Sequence, residues 1–152
     1  MSKAAKNVRD ACIYCGTRKD LTSDHVPPKA LFAEPRPSHL ITVPACRPCN
    51  KSYEKDDEYF RVAVLAQAAS EQDPAAAKLW SDKVIRGTLW RSPKLKRVIG
   101  QNLTAIDIVT PGDIYLGTTP TIRFARRRLD RVAQRMVTTL HWHHYAMCLA
   151  TE

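Results

Sequence analysis

Four cysteines in two C-x-x-C pairs are the residues of this sequence whose spacing points most directly to chemistry. The pairs are Cys12/Cys15 and Cys46/Cys49. A two-residue gap lets both thiolates of a pair bind one ion, and two pairs complete a tetrahedral zinc site with bonds of about 2.3 Å. A redox dithiol is the alternative, but neither pair has the strand–helix context of a thioredoxin-like motif. We therefore expect a structural zinc ion held by these four cysteines.

An Asp-His pair lies between the cysteine pairs, and an asparagine follows the last cysteine. These residues are Asp24-His25, in the run D-H-V-P-P-K, and Asn50. An imidazole with its unperturbed pKa of about 6.5 can be neutral at working pH and accept a proton from water. Four cysteines already fill a tetrahedral site, so His25 is left for a role other than zinc ligation. For Asn50, the alternative to a functional role is a helix cap.

Together these features resemble the HNH endonucleases, the ββα-metal nucleases with an added zinc site. The resemblance covers residues 12 to about 60 and depends on the two cysteine pairs, the Asp-His between them and the asparagine after the last cysteine. It implies metal-dependent hydrolysis of DNA phosphodiester bonds, with RNA left open as a substrate. It also implies that His25 is the general base and that Asp24 and Asn50 hold one catalytic divalent cation, Mg²⁺, Mn²⁺ or a similar ion.

The sequence departs from the family pattern at one position. The family typically has an asparagine just before the apolar run of the second strand, and its amide braces the histidine loop. Alignment on Leu40-Ile41 puts His39 in that place. A neutral imidazole donates one hydrogen bond and accepts one, so it can replace part of the role of the amide. We expect His39 to support His25 in catalysis; the alternative is a weakened site.

Local patterns predict the elements that position these side chains. Asp24 and His25 would point to opposite sides of a regular strand, so a shared site implies a local bend. The two prolines that follow make such a bend plausible and stiffen the backbone. The stretch Leu40-Ile41-Thr42-Val43 predicts a second strand that ends at Pro44 and pairs with the first in a hairpin. A helix is predicted to open at Cys49-Asn50.

Three acidic residues, Asp56-Asp57-Glu58, lie about two turns into that helix. The simplest interpretation is a solvated helix face, which would repel phosphate. A supporting role for Asp57 in the site is the alternative.

Residues 71–100 predict a helical insert. Asp73 is the expected N-cap, because a proline follows it at the first helical position, where a missing N–H costs nothing. Gly87 is expected to close this helix. Trp80 and Trp90 are expected core anchors.

The last third predicts two strands, at residues 105–109 and 114–116, and a long helix from Thr121 to Tyr145 that is rich in arginine. We therefore expect an α+β fold. Its zinc-stabilised ββα-metal core would span residues 1–70. A helical insert and a basic C-terminal extension, residues 71–152, would pack on that core.

The formal net charge is +9, and the basic surplus lies outside the cysteine-rich stretch: residues 1–60 carry ten basic and eight acidic side chains. Such patches fit a polyanionic partner, of which nucleic acid is the commonest. Solvated helix faces are the alternative. The expected nucleic-acid-binding residues are Lys94, Lys96, Arg97, Arg123, Arg126, Arg127 and Arg131.

No apolar run approaches the roughly 20 residues that cross a bilayer. The first ten residues lack a hydrophobic signal core, so we expect a cytoplasmic protein with no membrane partner. Cys148 has no partner by spacing. The main rival to a nuclease is a non-catalytic, zinc-stabilised nucleic-acid-binding module, and a nuclease effector or toxin is a third possibility. One metal site cuts one strand, so double-strand cleavage would need a homodimer or two encounters.

Overall fold

The computed structural model describes residues 10–32, 34–70 and 73–146. Helices and strands are mixed along the chain, so the predicted α+β class is confirmed. The elements are β1 (Leu21–Val26), a 3-10 turn (Lys29–Leu31), β2 (Ile41–Cys46), α1 (Arg47–Ser70), α2 (Pro74–Leu79), a π-helical segment (Trp80–Leu89), α3 (Pro93–Gln101), β3 (Leu103–Val109), β4 (Tyr115–Ile122) and α4 (Arg126–Tyr145). Cys148 lies outside the described residues.

Strands β1 and β2 form the predicted antiparallel hairpin. Asp24 pairs with Val43 and His25 with Thr42, and the pairing stays in register to the end of β1. Strand β1 is therefore unbroken at His25, where a local bend was expected. Strand β2 continues through Pro44 rather than ending there. A two-stranded sheet has only edge strands, which tolerate the missing N–H of a proline, and the Pro44 carbonyl accepts a hydrogen bond from the Ile13 amide at 3.1 Å.

Helix α1 begins at Arg47, two residues before the predicted start at Cys49. The Arg47 amide donates to the carbonyl of Asp20 at 2.9 Å. One face of α1 supplies buried Tyr59, Val62 and Leu65, which pack against apolar side chains of the segment after residue 73. The largest core is therefore shared between the two regions separated at residue 70 in the sequence-based division.

The helical insert is as predicted at its start and different at its end. Asp73 caps α2: its Oδ1 accepts hydrogen bonds from the amides of Ala75 at 2.8 Å and Ala76 at 3.0 Å. Gly87 does not close the helix, because π-helical winding carries the chain on to Leu89. This places Trp90 toward solvent with 80% of its surface exposed, so the prediction of a core anchor there was wrong. Trp80 does pack on the core.

The C-terminal third forms a second antiparallel hairpin followed by a helix. Thr121 and Ile122 pair with β3, and this pairing delays the start of α4 to Arg126, five residues later than predicted. Helix α4 then crosses back over the rest of the fold, where Trp142 is buried against Ile13 and Val43. Among the described residues, no helix is long and apolar enough to cross a membrane.

Candidate functional site

The four cysteines of the two C-x-x-C pairs come together as predicted. Their Sγ atoms all lie within 4.8 Å of one another, and those of Cys15 and Cys46 are 3.6 Å apart. A tetrahedral zinc site with bonds of about 2.3 Å has edges of about 3.8 Å, so the cluster has the size that a zinc ion needs. Gly16 completes the first turn with a φ of +74°, a conformation that favours glycine.

The cysteine cluster fixes the corner between β2 and α1. Cys46 is the last residue of β2, and Cys49 lies in the first turn of α1. Burial raises the pKa of the Cys49 thiol. At Cys12 burial also acts to raise the pKa, but hydrogen bonds with the backbone of Cys46, Tyr14 and Cys15 outweigh it and lower the pKa to about 7. A bound cation would draw the remaining protons from such a cluster.

A cleft of about 700 Å³ lies between β1 and α1, and the predicted residues Asp24, His25 and Asn50 all line it. They come from two different elements, and the corner fixed by the cysteines sets the angle between them. The remaining charged side chains of the lining are Glu54, Asp57, Glu58, Lys29, Lys55 and Arg61.

Asp24 lies at the buried side of this cleft, with 4% of its surface exposed. Its Oδ2 accepts a hydrogen bond from the Tyr14 hydroxyl at 2.8 Å and faces Nε of Arg135 at 3.8 Å. Burial raises the pKa of Tyr14, so the phenol stays protonated and donates to Asp24. The carboxylate is thus held from the cysteine loop on one side and from α4 on the other.

Asn50 is the fourth residue of α1, not the residue before the helix, so the N-cap interpretation does not describe it. Its Nδ2 donates a hydrogen bond to Oγ1 of Thr22 in β1 at 3.1 Å. Positions one and two turns further along a helix lie on the same face. Glu54 and Asp57 occupy those positions and join Asn50 in the cleft lining.

Asp56 and Asp57 do not form the solvated helix face that the sequence suggested. Asp56 is 8% exposed, and its two oxygens accept hydrogen bonds from Arg128 and Arg131, each at 2.7 Å. Asp57 is paired with Arg135, whose Nη1 donates to Oδ2 at 3.0 Å. The long-range packing of α4 on α1 buries Asp56, half-buries Asp57 and supplies the cations for both.

His39 is not brought to the cleft. It is exposed, and its Nδ1 lies 2.6 Å from Oγ of the neighbouring Ser38. In the described part of the chain, no hydrogen bond joins His39 to His25, so the supporting role predicted for His39 is without structural support.

The predicted nucleic-acid-binding residues lie on the surface, away from the cleft lining. Lys94, Lys96 and Arg97 are exposed on α3. Arg123 is exposed three residues before α4, and Arg126 and Arg127 are exposed in its first turn. Arg131 is half exposed, but its guanidinium is paired with Asp56. Three of the six arginines between residues 123 and 135 thus bind carboxylates of α1: Arg128, Arg131 and Arg135.

Several cleft residues escaped the sequence-based selection. The helical spacing from Asn50 would have found Glu54. Lys29, Lys55 and Arg61, the three cations of the lining, carry no motif. Tyr14 and Arg135 could not be found from local patterns, because they reach Asp24 only through the folded arrangement of the cysteine loop and α4.

Searches against protein-family models, curated proteins and solved structures give no match for this chain.

Proposed function

We propose that this chain is a zinc-stabilised, metal-dependent endonuclease of the HNH type, with β1, β2 and α1 as its ββα-metal core. The observation that carries the proposal is the single cleft lined by Asp24, His25 and Asn50. Nucleic-acid binding alone does not require an acid, an imidazole and an amide at one place. Hydrolysis of a phosphodiester requires both a proton acceptor and groups that stabilise developing charge.

The oxygen donors of the cleft fit a hard divalent cation. Asp24 offers a carboxylate, and both of its contacts fall on Oδ2. Nδ2 of Asn50 is engaged with Thr22, so its amide oxygen is the atom left for a cation. Glu54 adds a carboxylate one helical turn away. Oxygen ligands of this kind suit Mg²⁺ or Mn²⁺, and such a cation, when bound, stabilises negative charge on the phosphate and the leaving oxygen.

His25 acts as the general base. Its neutral imidazole accepts a proton from the water molecule that attacks the phosphorus, a role that contributes about 10²- to 10⁴-fold to a rate. Regular pairing of β1 with β2 through Val26 keeps the backbone of His25 in place. The side chain is half-buried at the cleft, so it is restrained but open to water and substrate.

The cations of the cleft hold the scissile phosphate. Lys29, Lys55 and Arg61 line it and can contact phosphate oxygens without reading base sequence. Arg61 is itself anchored, because its guanidinium donates to the Thr88 hydroxyl. The exposed arginines at the start of α4 extend the basic surface for DNA, or for RNA of similar charge.

A non-catalytic, zinc-stabilised nucleic-acid-binding module is the second candidate. The observation that favours it is the position of His39, which leaves the histidine loop without the brace that the family pattern supplies. The exposed arginines would then be the working surface.

Nicking of supercoiled plasmid separates the two candidates. We expect nicking to require added Mg²⁺ or Mn²⁺ and to be lost in His25→Ala with zinc content unchanged. His39→Ala is the matched control, a histidine outside the cleft, and should cut at close to the wild-type rate. Wild-type protein that binds DNA but leaves DNA and RNA intact with every divalent metal would support the binding module.

A further inference from the structure

Arg135 is a buried cation at the inner side of the cleft. Its side chain is 0% exposed, and the guanidinium lies 4.7 Å from the centre of the Tyr53 ring. Arginine is rarely so buried unless it is paired. Removing a cation from water costs several kcal/mol, which paired carboxylates must offset. The partners of Arg135 must therefore offset the cost of burying its charge.

The partners of Arg135 come from both elements that form the cleft. On α1, Asp57 accepts a hydrogen bond from Nη1 at 3.0 Å, and its Oδ1 lies 2.9 Å from Nη2. On β1, Oδ2 of Asp24 lies 3.8 Å from Nε. One guanidinium thus faces two carboxylates of the cleft, close to Asp57 and more distantly to Asp24.

The unequal distances from Arg135 indicate different roles for Asp57 and Asp24. Asp57 presents both oxygens to the guanidinium, so it compensates the buried cation. Asp24 presents only Oδ2, which also accepts the Tyr14 hydrogen bond. In the described part of the chain, Oδ1 of Asp24 has no hydrogen bond or ion pair, so it is the oxygen available to a divalent cation.

We infer that Arg135 is a positioning residue of the cleft. This inference rests on the proposed function. Arg135 reduces repulsion between Asp24 and Asp57, and it fixes Asp24 so that Oδ1 can bind the divalent cation. Helix α4, at the far end of the sequence, is then a structural part of the site and not an appendage for DNA binding alone.

A merely structural role would be to fasten α4 to α1, and Mn²⁺ affinity of the folded, zinc-loaded protein separates the two roles. Replacement of Arg135 alone leaves Asp57 buried without its cation, which threatens the fold. The variant Arg135→Met/Asp57→Asn removes both charges together. Asp57→Asn alone leaves Asp24 as the partner of Arg135 and measures what Asp57 contributes. Arg135→Lys keeps the charge but replaces the planar guanidinium with a single ammonium group.

Electron paramagnetic resonance of free Mn²⁺ gives the affinity of each variant, and plasmid nicking gives its activity. We expect the double variant to bind Mn²⁺ about tenfold more weakly than Asp57→Asn, with a matching loss of nicking and full zinc content. Arg135→Lys should recover part of the loss. The control Arg128→Met/Asp56→Asn removes the neighbouring ion pairs of Asp56 at the same helix interface and should bind Mn²⁺ like wild type.

A double variant that binds Mn²⁺ and nicks plasmid as well as Asp57→Asn would overturn the positioning role while leaving the nuclease proposal intact. Wild-type protein that neither binds Mn²⁺ nor nicks plasmid would overturn the nuclease proposal itself, and the positioning role with it.

Discussion

The Tyr14 hydroxyl donates a hydrogen bond to Oδ2 of Asp24 at 2.8 Å, and Tyr14 lies between Cys12 and Cys15 in the cysteine loop. The same hydroxyl lies 3.2 Å from Oγ1 of Thr139 on α4. Three distant parts of the sequence thus meet at one phenol. The cysteine cluster therefore does more than hold the scaffold, because it places the group that orients Asp24 in the cleft.

Removal of the Tyr14 hydroxyl should weaken both fold and site. In Tyr14→Phe the buried Asp24 loses its donor, which should lower the free energy of unfolding by about 1–3 kcal/mol. Metal-dependent nicking should fall on the order of tenfold, since a hydrogen bond to a charged group is worth about 1.5–3 kcal/mol. Denaturant unfolding and a nicking assay measure the two effects. Tyr145→Phe, at an exposed tyrosine, should change neither.

The cysteine cluster should contain zinc and be required for folding. We expect about one zinc ion per chain by elemental analysis. Cys46→Ser, at the buried end of β2, should lose the metal and much of the structure seen by circular dichroism, because the corner between β2 and α1 loses its fixing point. Cys148→Ser should keep both. Metal-free protein with a full native spectrum would contradict this assignment.

The buried carboxylate of Asp56 should contribute more to stability than an exposed one in a similar ion pair. Asp56→Asn leaves Arg128 and Arg131 without their shared partner, and we expect a loss of about 2–4 kcal/mol in the free energy of unfolding. Asp130→Asn is the matched control. Its pair with Arg126, at 3.6 Å, is exposed and should be worth under about 0.5 kcal/mol. Equal losses in the two variants would show that the ion pairs between α1 and α4 stabilise the fold no more than an exposed pair does.

Stability should depend on pH through Asp57. Burial raises the pKa of this carboxyl from 3.8 to about 6, against the opposing charge of Arg135. The folded state then binds the proton more tightly than the unfolded state, so this contribution is complete below about pH 4 and is lost as pH rises through about 6. Relative to Asp57→Asn, wild type should lose at most about 3 kcal/mol between these limits, at roughly 1.4 kcal/mol per pKa unit.

Urea unfolding of both proteins across this range, without added Mg²⁺ or Mn²⁺, gives that difference. A difference that grows in favour of wild type as pH rises would mean that Arg135, not burial, dominates the pKa of Asp57.

The exposed arginines near α4 and those paired with carboxylates should behave differently. Arg123→Ala/Arg127→Ala removes two exposed cations and should lower DNA affinity and the salt dependence of binding by up to about two phosphate contacts, with little change in stability. Arg128→Ala should instead destabilise the fold, because this side chain pairs with Asp56 and lies 4.1 Å from the centre of the Tyr59 ring. Fluorescence anisotropy at several salt concentrations and denaturant unfolding distinguish the two outcomes.

Much of the fold followed from local patterns. The hairpin that carries His25, the Asp73 cap and the four-cysteine cluster were all predictable, because caps, prolines and C-x-x-C spacing act over a few residues. Element ends were less predictable. Helix α4 starts later than predicted because Thr121 and Ile122 pair with β3. The helical pattern of the sequence does not reveal this pairing with a distant strand.

The candidate site was only partly visible for the same reason. Asp24, His25 and Asn50 lie beside recognisable motifs, whereas Arg135 is one of six arginines between residues 123 and 135, and nothing in the sequence separates it from its exposed neighbours. The acidic run Asp56-Asp57 reads as a solvated face until α4 packs over it. His39 fits the family position by alignment, but its ring turns to Ser38 instead of the cleft.

Chemical rescue of His25→Gly asks whether an imidazole is the proton acceptor of the cleft. We expect this variant to keep its zinc and its Mn²⁺ affinity and to nick plasmid at least about 10²-fold more slowly than wild type. It should regain part of that rate when free imidazole is added. Plasmid nicking by His25→Gly at the wild-type rate, with no response to imidazole, would contradict this role of His25.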